Sequence, residues 1–84
     1  MLMDNEHLQS VYKCSDFALV VTLSLWLPIE GIDRTDPRRA YFLFQQTQAL
    51  LDLVSAYHHR EVRVDPLAFY QASKNIKARL YESY

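Results

Sequence analysis

Around positions 39–60 the chain changes its hydrophobic period. Ala40-Tyr41-Phe42-Leu43-Phe44 is an unbroken apolar run with three aromatic rings. Flat rings and bulky side chains pack well on a pleated surface, so the run predicts a buried or half-buried strand. The apolar positions then fall at Leu50, Leu51, Val54 and Tyr57, steps of three and four that share one stripe of a helix. With Thr47 as its cap, the pattern predicts a strand within 39–45 feeding a helix over 48–59.

The most apolar stretch, Phe17 to Leu27, carries two patterns at once. Phe17, Leu19, Val21, Leu23, Leu25 and Leu27 alternate strictly, as a strand would, yet nearly every face is apolar at helical period. Its 11 residues make a normal helix and a long strand. Ser15 as cap, Asp16 at the positive helix start and Pro28 as the stop favour a helix over about 16–27 in a central position.

Beyond it, Pro28 to Asp33 predicts a short strand in which Gly31 marks a bulge or a close backbone approach. Arg34-Thr35-Asp36-Pro37-Arg38 is turn material, so 29–34 and 39–45 are expected to pair as a hairpin. Glu61-Val62-Arg63-Val64 alternates and predicts a short third strand. Asp65-Pro66 is a cap followed by proline at the first helical position, which starts a last helix over about 66–82. Its inward stripe is Phe69, Ala72/Ser73, Ile76 and Leu80, and Tyr70, Lys74, Lys77 and Tyr81 form the neighbouring one. Residues 1–14 are polar and aperiodic and read as a flexible N-terminal segment before a single domain, 15–84. The predicted fold is α+β: a small antiparallel sheet packed against three helices in the order α-β-β-α-(β)-α.

On these residues the chain resembles a family. The quoted pattern comprises Ser15-Asp16-Phe17-Ala18-Leu19, Ile29-Glu30-Gly31-Ile32-Asp33, Arg38-Arg39-Ala40-Tyr41-Phe42-Leu43-Phe44, Val62 through Tyr70, and Lys74 through Tyr81. It is similar to small bacterial and phage-associated proteins grouped as a domain of unknown function. Their form is an Asp-Phe-x-Leu-Ala helix, a strand with glycine, a Phe-Val-Phe-like strand and a final Lys/Leu-rich helix. The resemblance covers 15–82 and implies the fold without an activity or ligand. Trp26-Leu27-Pro28 stands where the family tends to have a glycine turn.

Composition narrows the classes of function. The chain has 84 residues, half of them hydrophobic, 13% aromatic and 23% charged, with one Gly. That makes one small domain able to bury a core, and it argues against a disordered or low-complexity chain. A net charge of −1 gives no global pull toward nucleic acid or anionic lipid. The apolar run of 17–27 is shorter than the ~20 residues a membrane helix needs. A lone Cys14 and an acidic start, MLMDNEH, are read as those of a cytoplasmic protein.

Candidate chemistry is sparse. His58-His59 are adjacent, whereas a helical metal pair wants a spacing of four so that both rings point one way. Cys14 has only Lys13 beside it, and no glycine-framed elbow surrounds a serine. Glu30, Asp33 and Asp36 are interleaved with arginines, which makes solvated ion pairs of them. The absence of a glycine-rich loop excludes nucleotide binding of the P-loop or dinucleotide kind. The sequence thus assigns no catalytic, cofactor or metal residues and reads as a non-enzyme.

What remains is surface. The excess of aromatics suggests a protein-interaction module that forms a homodimer or other homo-oligomer, or binds another protein. The candidate interface residues are Tyr41, Phe42, Phe44, Tyr70, Tyr81 and Tyr84. The alternative is a nucleic-acid accessory protein using the hairpin arginines Arg34, Arg38 and Arg39 with Lys74, Lys77 and Arg79 of the last helix. No membrane partner is expected.

Overall fold

A computed structural model describes residues 10–82. Within them, β1 (Val11–Cys14), α1 (Phe17–Ser24), β2 (Gly31–Asp33), β3 (Tyr41–Gln45), α2 (Gln48–His58) and α3 (Pro66–Glu82) follow in order. The strands form one antiparallel sheet in the order β1-β3-β2. The α+β class stands, as does the succession of helix, hairpin, helix and helix.

The third strand is a correction. It is Val11–Cys14, inside what the sequence reading assigned to the N-terminal segment, and it pairs along β3 from Val11↔Gln45 to Cys14↔Phe42. Glu61–Val64 form no strand. The chain leaves α2 through a Schellman turn: Glu61 N–H donates to Ala56 O and Arg60 N–H to Tyr57 O, with Arg60 left-handed at φ 61°. These bonds satisfy the last helical carbonyls. Four residues later the Asp65 carboxylate caps α3, accepting from Ala68 N–H at 2.8 Å. The part of the segment before Ser10 lies outside the described residues.

Helix starts follow the caps. Thr47 Oγ1 accepts from Leu50 N–H at 3.1 Å, as expected. At α1 the cap is Asp16, whose Oδ1 accepts from Leu19 N–H, one residue after the expected Ser15. The helix expected over about 16–27 is present and runs Phe17–Ser24, three residues short of the expected end. It then unwinds in turns closed by Trp26 and Leu27 N–H onto Leu23 O. A helix satisfies its own backbone, so this all-round apolar segment can lie in the core without strand partners.

Side chains of one phase of the sheet, Tyr12, Cys14, Ile32, Phe42 and Phe44, join the core cluster with Leu19, Val20, Val21 and Leu23 of α1. Leu50 of α2 and Ile76 of α3 complete it. Phe44, Leu23, Leu50, Val20 and Val21 are the largest fully buried side chains, and each such burial stabilises by about 1.5–3 kcal/mol. Gly31 makes neither a bulge nor a close approach. Its pairing with Leu43 is regular, and an added Cβ would sit 3.7 Å from Leu43 Cδ1, in ordinary contact.

Candidate interaction surface

α3 has two faces because its apolar positions fall in two phases of the helical period. Phe69, Ala72, Ile76 and Leu80 turn toward the core. The opposite face carries Leu67, Tyr70 and Tyr81, which are 61, 57 and 65% exposed. Lys74 shares it, with Nζ 5.3 Å from the centroid of the Tyr70 ring. Leu67 was missed in the sequence reading, although it sits three residues before Tyr70 and so belongs to the same stripe.

The other expected interface residues divide. Phe42 and Phe44 are 3 and 1% exposed and belong to the core, so they leave the candidate surface. Successive strand residues point to opposite faces, and Tyr41 is therefore on the outer phase with Leu43, half-buried. Tyr84 lies outside the described residues.

The basic residues are brought together only in part. Arg34 Nη2 donates to Leu80 O at 2.6 Å, which docks the hairpin loop on the C-terminal end of α3. A cleft of about 270 Å³ there is lined by Arg34, Asp36, Arg38 and Arg39. A guanidinium at that end complements the negative pole of the helix. Lys77 instead lies over the Phe17 ring at 5.6 Å, and Arg79 lines a separate depression beside Asn75 and Leu27. They do not form one strip.

Titratable groups are engaged locally. Asp33 accepts from the Thr35 hydroxyl and backbone N–H and meets Lys13 Nζ at 3.0 Å. The Thr35 bonds first, and then Lys13, hold its carboxyl well below the usual carboxylate range. Burial pushes the Cys14 thiol up, and the nearby Asp16 charge adds to it against the Sγ bond to Asp16 O. His59 Nδ1 is 2.7 Å from Ser55 O, and His58 packs edge-on against Tyr57. Among the described residues no three His, Cys, Asp or Glu side chains are grouped to hold a metal ion. No helix among them is long and apolar enough to cross a membrane.

A family model described as a domain of unknown function, DUF5659, matches residues 9–82 and so takes in every element of the fold. No curated protein and no solved structure matches the chain.

Proposed function

The chain belongs to the DUF5659 family, a domain of unknown function, and from that premise we propose that it is a non-catalytic protein-interaction module that self-associates through the outer face of α3. The carrying observation is the row of Leu67, Tyr70 and Tyr81, each more than half exposed on one face. Tyrosine brings a large apolar ring and a hydroxyl that stays satisfied in a wet rim, which is why interfaces are rich in it. Burying the row against a second copy gains about 25 cal/mol per Å² of apolar area. The raised Cys14 thiol supports a non-catalytic reading, since the thiolate is the nucleophile. A lone buried free cysteine also supports placement in the reducing cytoplasm.

Light scattering on the size-separated chain tests this reading. Self-association gives a species at twice the 9.9 kDa chain mass or more, and Tyr70→Ser with Tyr81→Ser shifts it toward monomer. A wild-type monomer sinks the proposal.

One observation favours a second reading as a nucleic-acid accessory protein: the Arg34 bond to Leu80 O sets Arg38 and Arg39 beside the end of α3. Phosphate contacts weaken steeply with salt. Binding of short oligonucleotides at low salt that falls with Arg38→Ala and Arg39→Ala supports it, and no binding at low salt removes it.

A further inference from the structure

Trp26 and Leu27, just past α1, face Ala49, Leu53 and Ala56 of α2 across an open trough of about 340 Å³. The trough exists because α2 turns two alanine methyls toward it where larger side chains would fill the space. Trp26 is left 54% exposed. Asp52 is the one charged side chain on the wall. Its Oδ1 accepts from Gln48 Nε2 at 2.8 Å, a neutral donor that leaves the negative charge in place.

The outer row of α3 has the matching relief. Leu67, Tyr70 and Lys74 follow one another at steps of three and four, and so do Ala49, Asp52 and Ala56. Each stretch rises about 10 Å along its helix. Equal spacing lets the ridge of one helix lie along the groove of the other, and the alanines let the two axes approach.

Charge matches as well as shape. Lys74 is the one cation in an otherwise apolar row, with Nζ 5.3 Å from the centroid of the Tyr70 ring. Helical side chains lean toward the N-terminus of their own helix. In an antiparallel crossing with Leu67 level with Ala56, Lys74 is level with Ala49. Lys74 and Asp52 then lean toward each other, and the Tyr70 ring falls on Leu53. Tyrosine and tryptophan are the side chains that most often anchor such contacts. The row of the same chain is not the occupant, because Leu67 and Tyr70 stay 61 and 57% exposed there.

We propose that the Leu67–Tyr70–Lys74 row of one copy seats in the Trp26–Ala56 trough of a second copy, with Lys74 against Asp52. The proposal rests on self-association through the outer face of α3 and names the surface that receives that face. The two patches differ, so α3 does not pair with the α3 of its neighbour.

Trp26 is the only tryptophan, so its fluorescence reports on the trough. Light scattering and emission are followed together against concentration, the fold of each variant being checked by circular dichroism. Wild type is expected to associate with a blue-shifted emission. Tyr70→Ser removes the ridge and Ala56→Arg blocks the trough, and each should raise the concentration of half-association about tenfold or more. An equimolar mixture of these two variants should associate again, because each supplies the patch that the other lacks. Asp52→Lys should weaken association, and Lys74→Asp in the same chain should restore it. Association that survives Ala56→Arg overturns the docking and leaves self-association through α3 standing. A mixture that stays dissociated also overturns the docking, as does a Lys74→Asp change that deepens the Asp52→Lys loss. A wild-type monomer, or an assembly indifferent to Tyr70→Ser, overturns both readings.

Discussion

Lys13 and Asp33 meet across a strand to which neither belongs. Lys13 pairs with Leu43 and Asp33 with Tyr41, yet Nζ and Oδ2 lie 3.0 Å apart, tying the two edge strands over the outer face of β3. Asp33 is also held by Thr35, and its pKa in the fold lies below its ordinary value. A carboxylate depressed in this way contributes stability that is present above its unfolded pKa, about 3.9, and is lost as pH falls through the folded value. Asp33→Asn is therefore expected to be less stable than wild type at neutral pH. The gap should close as pH drops below about 4. Urea midpoints measured across this range check it, and a gap independent of pH contradicts the assignment.

Arg60 closes α2 in a left-handed conformation, φ 61°, which costs an L-residue with a side chain about 1–2 kcal/mol and glycine almost nothing. The turn bonds use only backbone atoms. Arg60→Gly is expected to keep them and gain about 0.5–1 kcal/mol after the extra chain entropy of glycine. Thermal or denaturant unfolding reads the change, and a loss of stability would mean that the Arg60 side chain makes a contact worth more than the strain.

The parts of the fold legible in the sequence are those with local causes. Thr47 and Asp65-Pro66 specify two helix starts through their own side chains, and the Phe69–Leu80 stripe gives the inward face of α3. β1 was not legible because Val11-Tyr12-Lys13-Cys14 offers only two inward residues, and its bonds come from β3, some thirty positions away. Glu61–Val64 shows the reverse: it alternates, but the turn at Arg60 and the cap at Asp65 take up its ends and no strand lies beside it. Alternation also forbids Tyr41, Phe42 and Phe44 from sharing one surface. Which phase faces the core is fixed only by the helix above. The open apolar trough that Trp26 and Leu27 form with Ala49, Leu53 and Ala56 of α2 is hidden for a different reason, since alanines at 49 and 56 mark an absence of bulk.

Gly31 is a place where the regular geometry predicts a gain. It has no positive φ, and a methyl group there meets Leu43 Cδ1 at 3.7 Å. Gly31→Ala restricts the unfolded chain without a clash, so stability is expected to rise by about 0.4–1 kcal/mol. Equilibrium unfolding checks this, and a destabilised variant would show a strain in β2 that the spacing does not reveal.

The core and the proposed surface should separate cleanly in mutants. Phe44 is 1% exposed and Tyr70 57%. Phe44→Ala is expected to cost about 3–5 kcal/mol through lost burial and the cavity left behind, enough to unfold many domains of this size. Tyr70→Ser is expected to change monomer stability by no more than about 0.5 kcal/mol. Denaturation at a concentration where the chain is monomeric distinguishes them.

Arg34 and Arg38 belong to the same loop but do different things. The Arg34 guanidinium is partly buried and bonds Leu80 O at 2.6 Å, whereas the Arg38 side chain is 90% exposed and only 3.9 Å from Asp36. A charged hydrogen bond to a helix's last carbonyls contributes about 1–3 kcal/mol, and an exposed pair contributes between nothing and about 1 kcal/mol. Arg34→Ala should therefore destabilise the fold and speed amide exchange of the groups the last turn of α3 protects. Arg34→Lys recovers the charge without the planar reach and should fall between. Arg38→Ala should leave both readouts unchanged while reducing any affinity for polyanions. If Arg34→Ala were as mild as Arg38→Ala, the hairpin loop would not be anchored to α3 by this bond. The loop arginines would then have to be treated as one solvated group.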